Sequence, residues 1–130
     1  MASASEKSIW TETFTADEAL TDYQYHGVRM SDDRKCELMD NVTYKPVGVL
    51  LNEPGDEEEA LVCVIGRSPV VLGDTMSAGE YVRFDSSGHA IPWDAGTDTT
   101  MYSAGMITIG GVSGEVGEML VGVCPPRGAC

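Results

Sequence analysis

V-G-V-L-L-N-E-P-G-D-E-E-E-A-L-V-C-V-I-G-R-S-P-V-V-L-G-D-T-M-S-A-G-E-Y-V-R-F-D-S-S-G-H-A-I-P, residues 47 to 92, is a series of short β-branched runs cut at close intervals by Gly, Pro and Asp. Each run is too short for a helix, and apolar runs of this length between turn residues predict strands. The first half of the stretch recurs downstream. Gly48-Val49-Leu50-Leu51 leads through Pro54-Gly55 to Glu59-Ala60-Leu61-Val62-Cys63-Val64, and Gly105-Met106-Ile107-Thr108 leads through Gly110-Gly111 to Glu118-Met119-Leu120-Val121-Gly122-Val123. A repeated strand, glycine turn and strand predicts two similar hairpins that pack together, since a single hairpin is marginal in water. Aligning the two x-L-V-x-V endings makes Leu61, Val62 and Val64 the counterparts of Leu120, Val121 and Val123. By strand alternation Val62 and Val64 should then share a face with Val121 and Val123.

Upstream, residues 1–8 are small and polar, and Ser8 to Phe14 then brings Ile9, Trp10 and Phe14 together with no partner strand close in sequence. Two roles are open for this segment: an edge strand docked on its own domain, or an arm that adds a strand to another subunit and fills pockets with its aromatics. On the second reading Ile9, Trp10 and Phe14 bind the partner, and removing residues 1–14 leaves the domain folded. Thr15 to Leu20, T-A-D-E-A-L, reads as a helix start, with Thr15 as cap and Asp17 and Glu18 in the first turn. Tyr23 to Met30 alternates as a strand with Gly27 as a bulge; S-D-D-R turns, and K-C-E-L-M returns as the second arm of a hairpin. His26 is expected on a strand surface, since no Ser, Cys or Asp constellation surrounds it in sequence.

Downstream, the carboxylates Glu53 and Asp56 to Glu59 sit at a hairpin tip that lacks the alternating pattern of a calcium loop, so no metal is expected there. R-S-P-V-V-L reads as a separate short strand whose Pro69 suits an edge or a first strand position. D-S-S-G, residues 85 to 88, is a turn without the frame of a nucleophile elbow. The longest polar loop, residues 93 to 100, carries an exposed-looking Trp93, which is either a lid over the core or an interface anchor. C-P-P-R-G-A-C closes the chain as an irregular tail, residues 124–130.

At 130 residues the chain suffices for one domain with one core. With 42% hydrophobic and 22% charged residues it is not compositionally disordered, and no apolar run approaches the roughly 20 residues that cross a bilayer. No membrane partner is expected. The formal net charge of -13 argues against a nucleic-acid partner, which needs clustered Lys and Arg, and the eight basic residues are scattered. Cys36, Cys63, Cys124 and Cys130 lack metal-ligand spacing, and without a secretory signal they read as reduced thiols of a chain folded in a cytoplasm.

Taken in order, P-V-G-V-L-L from Pro46, E-A-L-V-C-V-I-G from Glu59, V-V-L-G-D-T-M-S-A-G-E-Y-V-R-F-D-S-S-G-H-A-I-P from Val70, S-A-G-M-I-T-I from Ser103 and G-E-M-L-V-G-V from Gly117 resemble the capsid decoration, or cement, proteins of tailed bacteriophages. The shared pattern is a P-x-G-V-L strand, a short turn, a V-x-V-x-G strand, G-x-x-x-x-A-G-[DE]-x-V, D-x-x-G-x-A and a closing hairpin, spanning Pro46 to Val123. Y-S-A-G-M from Tyr102 departs from that pattern, and the segment before residue 23 has no counterpart in it. The resemblance implies a small single-domain β-barrel or β-tulip, residues 23–123, on the outer surface of a virion. It would bind the major capsid protein as a homotrimer, without cofactor or catalysis. An extended N-terminal arm, residues 1–22, precedes this mostly β domain, and Trp93 joins Ile9, Trp10 and Phe14 as a candidate contact. The alternative from the residues is a small-molecule or carbohydrate-binding β-barrel with Trp93, Trp10 and the tyrosines as stacking platforms.

Overall fold

Glu59–Val71 forms one thirteen-residue strand, β5, and the rest of the molecule is arranged on its two ends. The structure, a computed structural model, describes residues 7–41, 44–94 and 102–122, with side chains from Trp10 onward. Among these it is all β: β1 (Lys7–Ala16), β2 (Gly27–Asp32), β3 (Lys35–Leu38), β4 (Pro46–Leu50), β5, β6 (Tyr81–Phe84), β7 (Ala90–Pro92), β8 (Gly105–Ile109) and β9 (Val116–Val121). The tail from residue 124, with Cys124 and Cys130, and most of the loop after Trp93 lie outside the described residues.

The first half of β5 belongs to a closed five-stranded barrel, in the order β1-β3-β2-β4-β5 and back to β1. Closure comes from β1, which pairs parallel with β3 (Thr15 opposite Lys35) and antiparallel with β5 (Phe14 opposite Ala60). The second half of β5 leads a second sheet, β5-β9-β8-β6-β7. A bridge between Leu72 and Ala90 brings the far edge of that sheet back to the end of β5.

Alternation along the shared strands fills two cores rather than the single one expected. Leu50, Ala60 and Val62 join Phe14, Ala16, Leu20, Val28 and Cys36 inside the barrel. Their neighbours Val49, Leu51 and Cys63 point the other way and pack with Val70, Leu72, Val82, Phe84, Ile107 and Met119 under the second sheet. Where a strand is buried on both faces its successive residues are apolar, as at Val62 and Cys63, which fill the two cores from adjacent positions, whereas Leu61 and Ile65 reach the surface. Before Gly66 the even-numbered residues of β5 face the barrel. After it, even-numbered Val70 and Leu72 face the second core, so the strand changes phase once. The change falls at Gly66, whose φ of 125° is open to glycine and strained for other residues. Pro69, expected in a separate strand, lies within β5 where β1 and β4 have already ended. Val71 donates its amide to the Tyr25 carbonyl on the side away from β9, and two residues earlier the Pro69 nitrogen faces that same side. The β5–β9 ladder therefore loses no donor to the proline.

Both repeat hairpins form and lie side by side through β5 and β9, but in a different register from the one their endings suggest. Leu50 is opposite Val62, and Ile107 is opposite Met119, not Val121. A slide of two residues keeps every side chain on its face, so the motif itself carries no trace of it. The two valine pairs do not share a core: Val62 and Val64 face the barrel and Val121 the second cluster, while Val123 is outside the described residues. Gly48 and Gly105 confirm the corrected equivalence. A Cβ at Gly48 would overlap the Cys63 carbonyl, and one at Gly105 the Leu120 carbonyl.

The arm expected over residues 1–22 is, from Lys7 to Ala16, a strand of the barrel wall, and the boundary at residue 23 cuts through the barrel. The helix start expected at Thr15 is absent because its amides serve neighbouring strands and loops. Ala16 donates to Glu58 at 2.9 Å, Asp17 to Cys36 at 2.8 Å and Leu20 to Pro54 at 2.9 Å. Loss of residues 1–14 would open the barrel, contrary to the arm reading. The bulge expected at Gly27 lies one step later, between Val28 and Arg29 opposite β4.

Gly66→Ala is expected to lower the unfolding free energy by about 1–3 kcal/mol through backbone strain. Gly48→Ala and Gly105→Ala should each cost about 1–3 kcal/mol through overpacking. Urea denaturation of the three variants checks this; parent-like stability of Gly66→Ala would place the phase change elsewhere.

Candidate interaction surface

Of the four side chains singled out in the sequence, the structure leaves Trp10 on the surface. It is 51% exposed, and its indole Nε1 donates to Glu12 Oε1 at 2.8 Å. The β1 register shifts on both sides of Trp10, a bulge that re-aims the side chain across from Ile65 of β5. Ile65 is itself half-exposed, and the exposed backbone of Gly122 lies beside it. Leu61, further along β5, is exposed as well. Trp10 and Ile65 thus form an outward apolar patch where the barrel meets the second sheet. Ile9 is in β1, but its side chain lies outside the described residues.

Phe14 and Trp93 are buried within the chain itself, which corrects their reading as partner contacts. Phe14 is inside the barrel at 6% exposure, with the Arg34 guanidinium 5.5 Å from its ring. Strand alternation forces this: Phe14 is opposite Ala60, and both point inward. Trp93 is also 6% exposed; its ring meets Tyr81 edge-on at 6.3 Å, and its amide donates to the Tyr81 carbonyl at 2.8 Å. Of the two roles open for Trp93, it has that of a lid. A buried Trp93 cannot serve as a stacking platform, so of the groups named for the carbohydrate-binding reading Trp10 and Tyr44 are the ones left exposed.

A groove of about 420 Å³ is lined by Arg29, Met30, Tyr44, Lys45, Pro46 and Val47. Arg29 lies 4.2 Å over the Tyr44 ring and pairs with Glu37 and, at 3.5 Å, with Asp40, so the charges around the groove offset one another. Burial pushes the Glu37 carboxyl up from its ordinary value, with Arg29 acting in the opposite direction. At the acidic tip the Glu58 side chain accepts from the Gly55 amide and Glu57 pairs with Lys35, so these groups serve the turn and the barrel seam. Among the described residues no cluster of His, Cys, Asp or Glu is arranged to hold a metal ion. Cys36 and Cys63 are buried, and burial pushes the Cys36 thiol up to about 11, which keeps it protonated and unreactive. His26, expected on a strand surface, lies just ahead of β2 and is buried.

Sequence reasoning missed Ile65 and Met30 as exposed apolar groups. The pairing of β5 with β1, and of β2 with β3 and β4, is what sets which face of each strand meets solvent.

No protein-family model matches the chain, and no curated protein matches it. Among solved structures, the fold is similar to the crystal structure of the N base of head fiber gp8.5 in bacteriophage phi29, with a TM-score of 0.62. The likeness covers 93% of this chain and 97% of that chain at 15% sequence identity. At that identity the two share a fold.

Phe14→Ala is expected to cost about 3–5 kcal/mol of stability, as for a large side chain removed from a core. Trp10→Ser should cost about 1 kcal/mol or less. Equal losses for the two in urea denaturation would contradict the placement of Trp10 at the surface.

Proposed function

We propose that the protein is a structural component of a tailed-phage head: a decoration, or cement, protein that sits on the outer surface of the capsid and bridges major capsid proteins as a homotrimer. The observation that carries this reading is the fold shared, over nearly the whole of both chains, with the base of a phage head fiber. A second line supports it independently. The glycine turns and strand endings from Pro46 to Val123 resemble the decoration proteins, and that resemblance rests on residues rather than on backbone geometry. The role is mechanical, so the partner surface matters more than any pocket, and the Trp10 and Ile65 patch is the surface assigned to it, with Ile9 beside it in β1. A standard interface buries about 800 Å² per partner, and several copies on one lattice add avidity without new contacts.

Charge tests how the patch holds. At a net charge of -13 neighbouring copies repel, and raising salt from about 0.1 M to about 1 M shortens the Debye length from about 10 Å to about 3 Å, which removes most of that repulsion. With apolar attachment, copies bound per capsid in a sedimentation assay should saturate and should hold or rise with salt. Shedding over the same range would mean that carboxylates, not Trp10, hold the protein. Trp10→Ser is expected to weaken attachment by about 2 kcal/mol, roughly thirtyfold, as for a central aromatic anchor. No saturable binding by the parent protein to capsids built from its own phage's major capsid protein would overturn the proposal.

A further inference from the structure

Residues 23–27 form a joint between the barrel and the second sheet. Toward the barrel, Tyr25 donates its amide to the Leu50 carbonyl at 2.7 Å, and Leu50 donates to the His26 carbonyl at 2.9 Å. Toward the second sheet, Val71 donates to the Tyr25 carbonyl at 3.0 Å and Gly27 donates to the Gly88 carbonyl at 2.8 Å. The His26 ring lies in this joint at 8% exposure, edge-on to Tyr23 at 5.3 Å and 4.9 Å from the ring of His89.

The groups around it are few. His26 Nδ1 is 3.0 Å from the Gln24 carbonyl, which can only accept, so Nδ1 carries the hydrogen and neutral His26 leaves Nε2 bare. The turn between β6 and β7 contributes His89 and Asp85. Asp85 Oδ2 is 3.5 Å from His89 Nδ1, and its Oδ1 already accepts the amides of Ser87 and His89. Tyr23 comes from the joint itself, and Leu38 of β3, which lies against Gly88, brings no charge. Burial is the main cause that holds the His26 imidazole below its ordinary value; His89 acts in the same direction, and the Gln24 carbonyl and Asp85 oppose.

We propose that this joint is an acid-sensitive latch: protonation of His26 parts the Asp85–His89 turn from residues 23–27 and loosens the second sheet from the barrel, while β5 keeps the two on one strand. Protonated His26 would set a buried imidazolium against the His89 ring, beside an Asp85 whose Oδ1 is already engaged by the Ser87 and His89 amides. Because the folded value lies below the free value of 6.5, the stabilisation by neutral His26 is present in full above 6.5 and is lost as pH falls through the folded value.

Amide exchange followed by NMR on the full chain tests this between about pH 7.5 and about pH 5. The protection factor of the Gly27 amide is expected to fall several-fold on acidification, while amides of the β1–β5 ladder keep theirs. His89→Gln should reduce that fall and His26→Gln should abolish it. PH-independent protection at Gly27, or a fall in step with the β1–β5 ladder, overturns the latch. Should His26→Gln fail to fold, the ring resonances of the parent decide: a His26 titration midpoint below 6.5 supports the latch, and one at or above it overturns it.

Discussion

One strand shared by two sheets is the constraint on which this structure depends. β5 gives its first half to the barrel and its second half to the neighbouring sheet, and the strand's period of two writes both cores at once. Val62 can fill the barrel only because Cys63 fills the space on the other side. The adjacent apolar pair Val62 and Cys63 is therefore a geometric requirement of a wall shared by two cores, and Gly66 is where the strand passes from one to the other.

The fold was legible in the sequence at the level of strands and turns, and illegible where distant segments decide. The hairpins read at residues 48–64 and 105–123 announce themselves through glycine turns between short β-branched runs, which are local signals. The unity of β5 does not announce itself, because Gly66 and Pro69 both read as breaks. They are tolerated for reasons held elsewhere: a phase change between two cores, and a missing strand neighbour on one side. The helical look of Thr15 to Leu20 failed for a related reason. Local capping chemistry is worth about 1 kcal/mol, and here it competes with a set of backbone bonds to Glu58, Cys36 and Pro54 that no local pattern records.

The same distinction governs the candidate surface. Aromatic residues in irregular segments drew the sequence reading to Trp10, Phe14 and Trp93 alike, yet two of the three are core. What separates them is register. Phe14 faces Ala60 and goes inward, whereas the bulge at Trp10 turns that side chain out toward Ile65. Acidity was legible from the start, but its distribution was not: Glu57, Glu58 and Glu37 are tied to turns and cations, so part of the negative charge also braces the scaffold.

The pairing of β1 also bears on how the molecule carries force. β1 runs between β3 and β5, with its hydrogen bonds set across the strand axis from Lys7 to Ala16. A tug along that axis loads the rungs of the β1–β5 ladder from Thr11 to Thr15, beyond the bulge at Trp10, together and in shear. The same tug directed sideways would peel the rungs in turn, beginning at Lys7 opposite Arg67. The barrel is thus mechanically anisotropic, stiff against tension along β1 and weak against peeling, and the direction of the applied force sets which limit applies.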